Sequence, residues 1–180
     1  YNAYGVCGIY SAPGTAVKEA YDTSGIVTND RGVTVWLKGN RVSRNQIMAI
    51  KEESVTEQKN SLAVCLDNIL RHAGITRNTE YDLAQGKTAT TILSENMTGV
   101  QVLDLSGCTL DAVLYYVNQD IPVLAILDDG EAVLVTGFNE FNVVIMEPAT
   151  GKLYKKGMND ATAWFAENGN HFITYMRTEN

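Results

Sequence analysis

Positive charge is in short supply in this chain. Fourteen lysines and arginines stand against twenty-one aspartates and glutamates, for a net charge of −7. The pI is near 4.8. Nucleic acid demands a basic face to neutralise its phosphates, so this balance argues against it as a partner. It argues equally against docking on an anionic membrane surface. Long apolar runs are missing too. None approaches the roughly 18 residues that a membrane span needs. Cysteine and histidine are sparse. The three cysteines, Cys7, Cys65 and Cys108, are an odd number, so they cannot all pair within one chain. No CxxC spacing occurs, and the two histidines, His72 and His171, stand far from any metal-ligand pattern, so neither a metal nor a cofactor is expected. The plain expectation is three reduced, buried thiols. No signal peptide is visible and Tyr1 is not a natural start, so the chain reads as a fragment of something longer. The missing signal therefore says nothing about export.

What is present is an ordinary globular balance. Hydrophobic residues make up 45% and charged residues 19% of 180 residues, enough chain for a core without disulfides or a structural metal. Residues 4–11 read as a strand and 16–20 as a short helix. Residues 25–28 and 33–36 are β-rich and flank the turn-forming Asn29, Asp30, Arg31 and Gly32, which predicts a hairpin. Trp36, inside it, is expected in the core. Lys38, Arg41 and Arg44 follow. They are a small anion site or, the plainer reading in an acidic protein, a solvated face. Ser54 and Glu57 have capping-box spacing. Leu62, Leu66, Ile69 and Ala73 then recur at helical intervals, and Gly74 stands where a helix C′ glycine belongs.

Short helices are expected at 81–84 and 90–95, an extended run at 100–105, and a helix capped by Thr109. Strands follow at 122–127, 131–136 and 142–146, then a turn at 147–151, a short return strand at 152–155, a helix at 160–167 and a closing strand at 171–176. Val133, Val135, Val143 and Ile145 alternate with period two and are expected as core positions on adjacent strands. Helices first and a mostly antiparallel sheet after them is an α+β layout.

That order, carrying these words, resembles the bacteriocin-processing, double-glycine leader peptidases and their papain-like relatives. Ser61 to Gly74 can be laid on the family's nucleophile helix, and Leu110 to Val123 on its later helix and Pro-Val strand. Gly130 to Phe138 looks like the Gly-His-Phe strand, and Glu147-Pro148-Ala149-Thr150-Gly151 like the Asp-Pro-x-x-Gly turn. The resemblance implies a papain-like domain over 54–180, with a helix packed on an antiparallel sheet. It implies that residues 1–53 are an accessory hairpin segment of the kind found ahead of such domains in large surface proteins of Gram-positive bacteria. It also places the family's nucleophile, base and orienting acid at Ser61, Glu131 and Glu147.

A cysteine peptidase needs a thiolate, an imidazole and a group that orients the imidazole. A Ser–Glu–Glu set has no imidazole. The expectation is therefore a non-catalytic domain, extracellular or on the cell surface, with a peptide or cell-surface ligand as its partner. Two enzyme readings stand beside it. Cys65 lies one helical turn after Ser61 and can be paired with His171 as a displaced dyad. His72, seven positions after Cys65 on the same helix, is about 10 Å away along the axis and out of reach. A Ser–Glu–Asp peptidase working at acid pH needs Ser61, Glu131 and Asp128 or Glu147 in contact. The plain reading of Glu131 and Glu147 is exposed turn carboxylates. A third class is an interaction module that uses the hairpin around Trp36.

Overall fold

A computed structural model of the chain describes residues 5–39 and 60–178. Ser54, Glu57, Arg41, Arg44 and the expected division at 53/54 lie outside the described residues.

Helix α1, Pro13–Thr23, opens on a proline, whose fixed φ suits a first helical position. Strands β1, Ile26–Thr28, and β2, Thr34–Leu37, form the expected hairpin. Its turn is held by Asn29 Oδ1, which accepts from the N–H groups of Arg31 and Val33 at 3.0 and 2.9 Å. Of the strand expected at 4–11, the described residues 5–11 form none: Gly5 makes an isolated bridge and residues 6–10 hold no regular structure. Its apolar side chains find no face to cover, for Val6 is 60% and Ile9 95% exposed. Gly5 also takes a φ of +106°, outside strand geometry.

Helix α2, Ser61–His72, begins after Asn60, whose Oδ1 accepts from the N–H groups of Leu62 and Ala63. Asparagine is among the preferred N-caps. Gly74 ends the helix at a φ of +85°, as its position predicts. The short helices α3, Glu80–Ala84, and α4, Ala89–Asn96, come next. Helix α5, Leu110–Asn118, is capped by Thr109, whose hydroxyl accepts from Ala112 N–H at 3.3 Å.

Six strands make one wholly antiparallel sheet: β3, Val100–Asp104; β4, Val123–Ile126; β5, Ala132–Phe138; β6, Asn142–Glu147; β7, Lys152–Gly157; and β8, His171–Arg177. Their spatial order is β3-β8-β4-β5-β6-β7. Helix α6, Met158–Glu167, connects β7 to β8 and sets Phe165 against Phe172, ring centroids 5.2 Å apart. β5 is buried at all seven positions, and both α2 and α5 contact it. Val133, Val135, Val143 and Ile145 are core residues as expected. β5 also runs on through Gly137 and Phe138, past the strand end expected at 136. A register shift between Val135 and Gly137 absorbs one residue as a bulge, so the ladder continues.

The hairpin joins this body through Trp36, which is fully buried. Its Nε1 donates to the Ala112 carbonyl at 2.9 Å, and the Tyr116 hydroxyl donates to the Val35 carbonyl at 3.0 Å.

Candidate functional site

Asn60 caps α2, and the first residue of that helix, Ser61, stands against the start of β5. Ser61 Oγ accepts the backbone N–H of Ala132 at 3.0 Å. That bond puts the hydroxyl beside the residue that follows Glu131. Glu131 stands just ahead of the strand, exposed, with its own N–H donating to Asp129 Oδ1 at 2.9 Å. Glu147 closes β6. The pairing of Leu134 with Met146, continued one step, sets Glu147 opposite Val133, two residues from Glu131. Its Oε2 accepts from the Thr150 hydroxyl at 2.9 Å within the 147–151 turn. Ser61, Glu131 and Glu147 thus lie at one end of β5 and β6, and the two carboxylates are exposed. Asp128, also exposed, precedes them in the β4–β5 turn, with its N–H donating to Asn168 Oδ1 at 3.1 Å.

The remaining candidates are held differently. Cys65 is fully buried. Burial pushes its thiol far above the ordinary range, and the Glu131 charge pushes the same way. A nucleophilic cysteine needs the opposite, an electropositive and accessible setting that favours thiolate. His171 opens β8 opposite Ile126, which is itself opposite Ala132. Two strand spacings place its backbone about 10 Å from Ala132. His72 ends α2 with Nε2 at 2.7 Å from the Asp120 carbonyl oxygen, turned to that turn and not to Cys65. Lys38 is exposed, with Nζ 4.5 Å from the Tyr21 ring centroid and 3.2 Å from the Tyr21 carbonyl oxygen. Of the three thiols, all are free, but Cys7 is exposed where burial was expected.

A cavity of about 720 Å³ lies elsewhere: under residues 6–12, against α1 and β1. It is the space beneath an arm without regular structure and contains neither Ser61 nor Glu131. Sequence reasoning missed two parts of the site. Asn60 carried a usable signal, a capping residue directly before the apolar period. The Ala132 N–H carried none, because a backbone donor looks alike at every residue.

A papain-like α+β fold is what these elements build, with the start of a helix set against the leading end of a central antiparallel strand. Among solved structures, the chain is similar to a crystal structure from Bacillus anthracis described as a "putative C39-like peptidase". The match has a TM-score of 0.64 at 12% identity and covers 77% of this chain and all of the other. No family model matches the chain, and no curated protein does.

Proposed function

We propose that this chain is a non-catalytic, peptidase-fold domain of a secreted or cell-surface protein, serving to bind a peptide or cell-surface ligand or to hold structure. One observation carries the reading. At the end of β5 where the resemblance puts a thiol and an imidazole, a serine hydroxyl accepts the Ala132 N–H, and the position that the resemblance gives to the imidazole is the exposed Glu131. A hydroxyl ionises negligibly near neutral pH, and a carboxylate of pKa about 4.3 is a weak base for it. Glu131 is exposed. The Cys65–His171 alternative has against it the complete burial of the thiol. The Bacillus anthracis protein is described as a peptidase, but one fold hosts many functions and the likeness reaches the fold alone. Placement outside the cell rests on the family resemblance.

The test is direct. The chain is incubated with a broad peptide library at pH 5 and pH 7.5, with and without a limiting thiol alkylator. No cleavage is expected at either pH. Cleavage abolished by Cys65→Ala would replace this reading with the displaced cysteine, and cleavage at pH 5 abolished by Ser61→Ala would replace it with the acid serine peptidase.

A further inference from the structure

The cavity of about 720 Å³ beneath residues 6–12 holds none of the Ser61 site and has a chemistry of its own. One wall is α1. Ala16, Glu19 and Ala20 border the space at helical positions i, i+3 and i+4, so they share one face of the helix. The two alanines end at Cβ, which leaves room above them. The adjoining wall is the hairpin, from Gly25 through Asp30. The volume falls within the usual range for a binding site.

Much of the lining is apolar and uncovered. Ile26 of β1 and Ile9 of the overlying arm both border the space, and both are exposed. Tyr10 borders it too and is 41% exposed.

Charge in the lining has one sign. Glu19 on α1 and Asp30 in the hairpin turn are exposed members of the two walls. Neither carboxylate has a hydrogen-bond or ion-pair partner among the described residues. No lysine, arginine or histidine lines the space among those residues. Lys18 and Arg31 stand outside the lining, and Lys38 is held over the Tyr21 ring. A cleft lined by one sign of charge with apolar walls concentrates the opposite charge.

We infer that this groove binds an extended peptide segment in which apolar side chains are flanked by lysine or arginine. The apolar side chains lie on Ala16, Ala20 and Ile26. The flanking cations meet Glu19 and Asp30, and the Tyr10 ring offers a cation a further favourable face. A small cation leaves the apolar lining uncovered. A neutral peptide leaves both carboxylates without a counter-charge, and an acidic one is repelled by them.

Calorimetric titration of the full chain at physiological ionic strength with three end-capped hexapeptides tests this. They are Gly-Lys-Val-Leu-Lys-Gly, its neutral counterpart Gly-Gln-Val-Leu-Gln-Gly, and its polar counterpart Gly-Lys-Ser-Ser-Lys-Gly. Saturable binding of the first is expected, with each of the others at least tenfold weaker. Glu19→Gln and Asp30→Asn together should weaken the first peptide at least tenfold, about 1.4 kcal/mol. Glu140→Gln with Glu167→Gln removes as much charge from exposed positions outside the groove and should leave binding unchanged. Circular dichroism checks that the variants are folded, and should the groove pair fail to fold, Glu19→Gln alone decides. Absence of saturable binding of the first peptide up to about 1 mM overturns the proposal. Equal binding of the Gln or the Ser peptide overturns it as well. So does equal weakening by the two charge pairs, which would assign the attraction to net charge and not to the groove.

Discussion

The three thiols give the residue scale its clearest test. Cys7 is exposed, whereas Cys65 and Cys108 are buried. The Cys108 thiol donates to the Gly14 carbonyl at 3.3 Å, and burial pushes its pKa up to about 11. A group with that pKa is about one part in a thousand ionised at pH 8, and thiolate is the reactive form. A disulfide reagent at pH 8 should therefore modify one thiol quickly in the native chain and all three in urea. Native Cys65 reacting as fast as Cys7 would show an open, polarised thiol and revive it as a nucleophile. At this scale the sequence was legible for the alternating Val133, Val135, Val143 and Ile145, all of them core residues. It was opaque for the thiols: Cys7 and Cys65 are the same letter, and only the packing around α2 separates them.

Individual elements were mostly legible because their signals are local. The helical repeat through Leu66 and Ile69 with Gly74 after it marked α2, and turn residues marked the hairpin. The bulge in β5 was not legible, because it is defined by pairing with β6. The helix α3 and the segments around it carry an electrostatic prediction. Asp82 Oδ2 is 3.2 Å from Arg77 Nη2, and its Oδ1 is 3.5 Å from Lys87 Nζ. Burial of Asp82 favours its neutral form. The hydrogen bond and charge of Arg77, followed by the charge and hydrogen bond of Lys87, outweigh that and hold its carboxyl below the usual range. A carboxylate with a depressed folded pKa stabilises the fold at pH values above its unfolded pKa of about 3.9. The benefit is lost as pH falls through the folded value. Wild type should therefore resist urea better than Asp82→Asn at neutral pH, with the gap closing below about pH 4. A gap that persists to pH 2.5 would assign the difference to packing and not to charge.

Across the whole molecule, contacts distant in sequence decide the outcome, and these the sequence hides. Residues 1–53 read as an accessory segment, yet Trp36 reaches a carbonyl 76 positions away and the Tyr116 hydroxyl returns to Val35. Deleting 1–53 should leave the Ala112 carbonyl without its indole donor and lay bare the face of α5 that Trp36 covers. Losing one buried tryptophan costs about 3–5 kcal/mol by itself, so the shortened chain is expected to melt far lower than the full one, or without cooperativity. An unchanged melting temperature would make the segment a true appendage. Strand order carries a further consequence, one for the time course of synthesis. β8 is the last described strand along the chain, but in space it lies between β3 and β4. A ribosome releases β3 well before the strand that must partner it, and β4 likewise waits for one of its two neighbours. Until residues 171–177 emerge, the nascent sheet is two pieces with an open seam, and a chain stalled or clipped short of them presents two unpaired edges to whatever is nearby.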